Sequence, residues 1–269
     1  MGRSDLYHLL PVKRGGCIWN FDHRFDAPEE IKITDQVWLG TERFVPRTEV
    51  VNRLFDKGWK RDWLLAWRDI TNATNERTVV ASFIPLLATD DTLSLLLPNV
   101  KPSALAAALL ANLNSLVLDY VAQSKVGGTH IWKNVIAQFP ILSPQFYSGG
   151  RLAFVVSNVL KLNYTSYGLA SFAQELCYDG PPFPWDEDRR AHLRADLDAF
   201  YARAYGLDRD ELRYILDPAD VMGPDYPSET FRVLKEKEIR QYGEYRTRGL
   251  VLEAWDRMEA SREFKALNL

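Results

Sequence analysis

The longest apolar segment of the chain, Leu105 to Ala122, places the strongest constraint on the fold. Apolar residues recur there every three or four positions, which is the spacing of one wide helix face. Polar residues interrupt the run at three positions: Asn112, Asn114 and Asp119. A membrane span would lack them, so the pattern predicts a buried helix. Ser103 suits the N-cap position, and the pair Gly127-Gly128 should end the helix near Lys125.

The rest of the chain divides by pattern on either side of this helix. Before it, short runs of bulky or β-branched residues lie between turn formers and predict strands at 17–21, 35–40, 63–70, 78–84 and 93–97. One helix is predicted over 44–60. After residue 150 the pattern becomes helical, in 152–167, 187–205, 208–216 and most of 231–263. We therefore predict an α+β fold, with a mixed α/β domain over 1–150 and a helical C-terminal region over 151–269.

Charge is distributed unevenly along the chain. The formal net charge is −3, which disfavours a general nucleic-acid coat protein. Residues 1–150 carry 16 Lys and Arg against 15 Asp and Glu, whereas residues 151–269 carry 17 against 21. Between residues 120 and 178 the only acid is Glu175, beside four basic residues. Any surface that faces DNA is therefore expected in the first two thirds of the chain.

A first polar cluster lies between two predicted strands and contains Arg68, Asn75, Glu76 and Arg77. Arg commonly contacts phosphate or guanine, and Asn can pair with adenine, so a strand–turn–strand that approaches DNA is one interpretation. The other is an ordinary hairpin turn with a local ion pair, such as Glu76 with Arg77. Composition alone favours this second interpretation, since charge clusters usually form solvated faces.

A second polar cluster follows the apolar helix, from Lys125 to His130. Paired glycines allow close backbone approach, so Lys125, Thr129 and His130 are candidate phosphate ligands. The alternative is a helix C-cap with an incidental Lys and His. His23-Arg24 is a third candidate, for which an ion pair at a strand end is the favoured interpretation. The spacing of a phosphate-binding P-loop is absent.

No motif for catalysis or for metal binding accompanies these clusters. The two cysteines, Cys17 and Cys177, are far apart, and four scattered histidines lack metal-ligand spacing. Asp225 with Glu263 and Lys265 only faintly resembles a nuclease metal site. We expect no catalytic residue, no metal and no cofactor in this chain. Two distant cysteines form no disulfide framework, so we expect a reduced, cytoplasmic protein. The start of the chain shows no signal pattern.

Several stretches, taken in order, carry a family resemblance. They are GGCIWNFDHRF (15–25), RDI…NERT…IP (68–85), LNS…DY…KxGGTH (113–130), FPILSP (139–144), YDGPPFPWDEDRR…LRADLDAFYARAYGL (178–207) and GEYRTRGLVLEAWDRM (243–258). Together they resemble the C-terminal region of large adenine-specific DNA methyltransferases of restriction–modification and phage-defence systems. The type IIG and type ISP-like enzymes and the DISARM and BREX methylases are the nearest kinds. Cys17 stands where that family usually has Lys.

The resemblance implies a non-catalytic DNA target-recognition part. In such enzymes this region selects the sequence, while an upstream domain transfers the methyl group from S-adenosylmethionine. The implied partners are double-stranded DNA and a catalytic methylase domain or subunit, with no membrane. The residues expected near DNA are Arg24, Arg68, Asn75, Arg77, Lys125, Thr129 and His130. Two alternatives stay open: an interaction or scaffold module of a phage-defence complex, and a stand-alone nuclease.

Overall fold

A computed structural model describes residues 8–227, 229–267 and 269. Its strands are β1 (Leu9–Lys13), β2 (Phe44–Pro46), β3 (Trp63–Arg68), β4 (Ala81–Pro85), β5 (Ala88–Thr89) and β6 (Leu93–Leu96). Its longer helices are α2 (Arg47–Phe55), α3 (Ala104–Asn114), α4 (Leu116–Lys125), α6 (Gly150–Asn163), α8 (Glu187–Ala204), α9 (Arg209–Leu216), α11 (Arg232–Tyr242) and α12 (Arg246–Ala260). Its shorter helices are α1 (Glu29–Lys32), α5 (Lys133–Ile136), α7 (Ala170–Glu175), α10 (Ala219–Met222) and α13 (Arg262–Lys265).

The strands form two three-stranded sheets. In one, β1 pairs with β2 antiparallel and with β5 parallel. In the other, β3 is the central strand and pairs antiparallel with β4 and β6, with Leu65 opposite both Phe83 and Leu96. The predicted strand–turn–strand at 63–84 is thus present as β3 and β4. Its apolar residues are buried on both faces, which explains the continuous apolar run.

Two compact units emerge from the packing, and each is built from separate stretches of chain. The first contains residues 1–70, 80–110 and 159–185. Its core surrounds the fully buried Trp63, whose ring meets those of Phe83 and Phe172 edge-on at 5.0 and 5.3 Å. Asn163 donates to the Ser82 hydroxyl and the Phe83 carbonyl. Residues near 163–172 therefore complete a core that begins a hundred residues earlier.

The second unit contains residues 71–79, 111–158 and 186–269 and is helical. Helices α8 and α12 pack along each other. Small residues of α8, among them Ala195, Ala199 and Ala202, are buried, and so is Trp255 of α12. The guanidinium of Arg203 lies 3.9 Å from the Trp255 ring centroid, so its charge faces the electron-rich ring.

The predicted α+β class, with a helical C-terminal half, is confirmed, because helix accounts for 49% of the chain and strand for 11%. Every described strand ends by Leu96. The proposed boundary at residue 150 stays a prediction. In the described part of the chain no single helix is long and apolar enough to span a membrane, although the bent pair α3 and α4 meets the length and composition criteria together.

Two predicted strands are wrong, and in both places hydrogen bonds from an arginine replace strand pairing. Residues 17–21 form a turn in which Phe21 has a φ of 59°, while the Ile18 carbonyl accepts from Arg68. Residues 35–40 run without a partner strand, and the Gln36 carbonyl accepts from Arg24. The sequence also missed β1, β2 and β5, which are short or contain proline.

The predicted single helix over 103–125 is two helices, with a 60° bend between α3 and α4. The break lies at Ser115, whose backbone is extended at φ −68° and ψ 145°. Its hydroxyl accepts from the Leu118 N–H at 3.3 Å and donates to the Asn112 carbonyl. Ser115 therefore acts as the N-cap of α4, an arrangement that the apolar repeat alone does not reveal.

Candidate nucleic-acid interface

Apart from Arg68, the residues of the two polar clusters lie in the second unit, in segments that are joined to each other. The Thr71 N–H donates to the Thr129 carbonyl at 2.9 Å, which joins the turn after β3 to the loop after α4. We call the segments 71–79 and 125–132 the loop pair, the second of which begins at the last residue of α4. Their joining depends on contacts between residues almost sixty positions apart, so local sequence patterns cannot reveal it.

The first segment of the loop pair is a turn held by its own side chains. The Asn72 carboxamide oxygen accepts from the backbone N–H and the hydroxyl of Thr74, both at 2.9 Å. The Thr71 hydroxyl donates to the Thr78 carbonyl at 2.6 Å and closes the base of the turn. The side chains of Asn72, Thr74 and Asn75 are exposed. Asn in such turns satisfies the local backbone and fixes the loop.

Buried residues anchor the second segment at both ends. Val126 and Ile131 are buried, while Gly127, Gly128 and Thr129 between them are exposed. An added Cβ at either glycine would meet no atom within 4 Å, and neither glycine has a positive φ. The fold itself therefore gives no steric reason for glycine at these two positions. An external group that approaches the backbone closely would supply one.

Lys125, Thr129 and Asn75 are exposed, and His130 is half-buried. The His130 ring stacks on the ring of Trp132 with centroids 4.8 Å apart and planes 20° from parallel. These four predicted site residues are therefore carried by the loop pair. Lys125 is adjacent in sequence to the anchored Val126.

Arg77 also belongs to the loop pair, but its guanidinium points inward. It donates to the Asp119 carboxylate at 3.2 Å and to the Asn114 carbonyl at 2.5 Å. The same carboxylate accepts the N–H groups of Thr78 and Val79 at 3.1 and 2.6 Å. The Asp119 side chain is fully buried and that of Arg77 is 10% exposed, so this ion pair fixes the turn to α4. Burial raises the pKa of Asp119, and Arg77 with the two N–H groups opposes that rise.

A second buried carboxylate lies in the same unit. Asp198 of α8 accepts the Leu116 N–H at 2.7 Å, at the N-terminus of α4. Burial raises the pKa of Asp198 to about 6, although the nearby charges of Arg77 and Arg194 act to lower it. Arg77, Asp119 and Asp198 all lie in stretches that carry the family resemblance. In this structure these residues hold the turn and two helices in place.

Arg24 and Arg68 lie in the first unit and bond backbone carbonyls. The guanidinium of Arg24 is buried and donates to five carbonyls, those of Ile31, Lys32, Thr34, Gln36 and Thr165. Arg68 donates to the carbonyls of Gly15 and Ile18, and its guanidinium lies 5.1 Å from the Trp19 ring centroid. Arg24 thus connects the end of α1 and the residues after it to Thr165, and Arg68 connects the turn at 15–18 to β3, so both arginines stabilise irregular parts of the first unit.

Sequence reasoning missed Trp132, which is 60% exposed. The signal was an aromatic residue between the polar residues His130 and Lys133 on the same short segment as the buried Ile131. It also missed that Asp119 is the buried ion-pair partner of Arg77, because spacing along the chain does not show which residues of distant segments meet.

Metal-site geometry is not found among the described residues, since no group of three or more His, Cys, Asp or Glu side chains is suitably placed. Asp225 is exposed in a loop, and the side chain of Glu263 lies outside the described part of the chain. Cys17 is buried and Cys177 exposed, and both are free.

No protein-family model, curated protein or solved structure matches this chain. Support for a function therefore comes from the chain's own residues.

Proposed function

We propose that this chain is the non-catalytic DNA-recognition part of an adenine-specific DNA methyltransferase of a restriction–modification or phage-defence system. The observation that carries the proposal is the loop pair. It presents an exposed lysine, amide and hydroxyl side chains and two glycines that the fold does not require. Methyl transfer, with S-adenosylmethionine as cofactor, belongs in this proposal to a separate upstream domain or subunit, and the assembly works in the cytoplasm.

Each exposed group of the loop pair suits a particular part of DNA. The Lys125 ammonium can pair with phosphate, and the backbone N–H groups beside Gly127 and Gly128 can donate to phosphate oxygens. Asn75 can offer both a donor and an acceptor to the edge of adenine in the major groove. The stretch from residue 120 to 174 contains no acid, which lowers electrostatic repulsion of the duplex.

Salt-dependent binding tests this proposal. We expect a pool of random-sequence duplexes to bind the full chain, with an affinity that falls as salt rises from about 50 to 400 mM, because phosphate contacts release counterions. The Lys125→Gln variant should lose several-fold affinity and lower the slope of log K against log salt by about 0.9. The matched control is Lys265→Gln, which replaces an exposed lysine of the acidic half. It should change neither the affinity for the duplex nor the slope. Absence of duplex binding at low salt would reject the proposal.

The glycines provide a second, independent test. Gly127→Ala and Gly128→Ala meet no neighbour in the fold, so their melting temperatures should equal that of the unmodified protein. If phosphate approaches this backbone, the added methyl groups should weaken duplex binding. Gly16→Ala is the control, since that glycine is exposed and equally uncrowded but lies in the first unit. Unchanged duplex binding in both loop variants would show that the backbone at Gly127 and Gly128 does not contact DNA.

A scaffold function is the second candidate, and one feature of the first unit favours it. The segment from 33 to 39 exposes three apolar side chains, Ile33 at 68%, Val37 at 52% and Leu39 at 43%. Exposed apolar groups close in sequence are common at protein–protein contacts. A Val37→Asp variant that lost binding to a methylase subunit, in a chain without affinity for DNA, would support this alternative.

A further inference from the structure

The rings of His130 and Trp132 form an exposed aromatic pair. Trp132 is 60% exposed, more than any other tryptophan among the described residues, whereas Trp59, Trp63, Trp67 and Trp255 are buried. An indole left in water forgoes the stabilisation that burial gives a large apolar side chain. The His130 ring covers one face and leaves area of the indole open.

The backbone that carries the pair is fixed on both sides. Ile131, which separates His130 from Trp132 in the sequence, is 1% exposed and anchored in the core of the second unit. The Trp132 carbonyl accepts from the N–H groups of Val135 and Ile136 at 2.9 and 3.1 Å, which begins α5. A ring presented from an anchored backbone loses little conformational entropy when a ligand stacks on it.

The charged groups nearby favour an anionic ligand. Lys133 follows Trp132 directly and is exposed, and Lys125 precedes the anchored segment. The acid of the loop pair is Glu76, and its carboxylate is bound by the Lys237 ammonium at 2.9 Å. A flat aromatic surface beside ammonium groups suits a nucleotide, whose base stacks while its phosphate pairs with lysine.

We propose that Trp132, backed by His130, stacks against an unpaired base of DNA, while Lys133 binds an adjacent phosphate. This inference rests on the proposed DNA-recognition function and names the form of DNA that the surface prefers. Stacking does not depend on base identity, because every base has an aromatic face. Trp132 would thus hold a displaced nucleotide, and the exposed polar groups of the loop pair would contact the duplex beside it.

Matched duplexes test the proposal with the full chain. One duplex is fully paired, and the other has the same sequence with a single bulged 2-aminopurine. We expect the bulged duplex to bind about 5- to 150-fold more tightly, the range given by stacking one base. The 2-aminopurine fluorescence should fall further on binding, since stacking on an aromatic ring quenches it. A bulged duplex that binds no more tightly than the paired one would overturn the proposal.

Variants identify the ring that stacks. Trp132→Ala should lose the preference for the bulge and the extra quenching, with an unchanged melting temperature. Trp132→Phe should restore part of both signals. Tyr167→Ala removes an aromatic side chain of the first unit that is 54% exposed. It should leave the preference for the bulge and the quenching unchanged. If Trp132→Ala keeps the preference, stacking by Trp132 is rejected while DNA recognition stands. If no duplex binds the unmodified chain, both proposals fail.

Discussion

Three arginines, Arg24, Arg68 and Arg77, direct their guanidinium groups into the protein rather than towards solvent. A guanidinium has five N–H donors in a planar fork, so a single side chain can satisfy several backbone carbonyls that lack strand or helix partners. This explains how a segment without regular structure, such as 33–36, stays bound to the core. At the scale of single residues, arginine in this chain stabilises loops, and lysine is the exposed cation of the loop pair.

Arg77 should contribute strongly to the stability of the fold. Arg77→Ala leaves the Asp119 carboxylate fully buried without its ion-pair partner, which typically costs about 3–5 kcal/mol. Arg53→Ala removes an exposed pair with Glu49 and should cost less than about 0.5 kcal/mol. Urea denaturation of both variants measures the difference. Equal stability of the two would mean that the Arg77–Asp119 pair contributes no more than a surface ion pair.

Asp198 should make stability depend on pH. Its folded pKa of about 6 is above the ordinary value of 3.8, so the folded state binds the proton more strongly than the unfolded state. The stabilisation that protonation provides is complete below about pH 4 and is lost as pH rises through 6. Asp198→Asn keeps an oxygen for the Leu116 N–H but carries no charge.

The variant should therefore gain stability relative to the unmodified protein between pH 4 and pH 7.5. The limit is on the order of 3 kcal/mol, from a shift of about two pKa units. Arg77, Arg194 and Asp119 are the charged groups that act on this carboxylate. Denaturation of both proteins at the two ends of this pH range measures how the difference between their stabilities changes. A stability difference that stays constant across the range would contradict the prediction.

At the scale of elements, the break between α3 and α4 determines where the loop pair lies. Side chains from distant segments satisfy the free backbone groups there, with Arg77 at the Asn114 carbonyl and Asp198 at the Leu116 N–H. An uninterrupted helix would leave both side chains without these partners. The bend therefore connects the start of α4 to the turn at 71–79 and to α8.

Ser115→Ala should destabilise this break. The variant removes the N-cap hydroxyl of α4 and the bond to the Asn112 carbonyl, at a cost of about 1 kcal/mol, the usual value for a lost cap. Ser124→Ala, at an exposed position in the last turn of α4, is the control and should cost little. Thermal unfolding of both variants measures the costs. A larger loss in the control would show that the hydroxyl at 115 does not cap the helix.

At the scale of the whole molecule, the stretches that build each unit alternate along the chain. The fragment 1–150 lacks Asn163, Phe172 and Glu175, which pack on or bond to β3 and β4 in the first unit. We expect this fragment not to unfold cooperatively, because the core around Trp63 is incomplete. Far-ultraviolet circular dichroism during urea titration measures this. A cooperative transition would instead support a domain boundary near residue 150.

The amino-acid sequence by itself determined the class of the fold and most of its regular elements. Apolar runs predicted β3, β4 and β6, and the three- and four-residue spacing predicted α8, α9 and the terminal helices, because these patterns report local burial. Tertiary structure alone decided the break at Ser115, the inward direction of Arg24, Arg68 and Arg77, and the joining of two polar segments through Thr71 and Thr129. Each depends on a partner far away in the chain. Periodicity contains no information about such partners, since it records only which face of an element is buried.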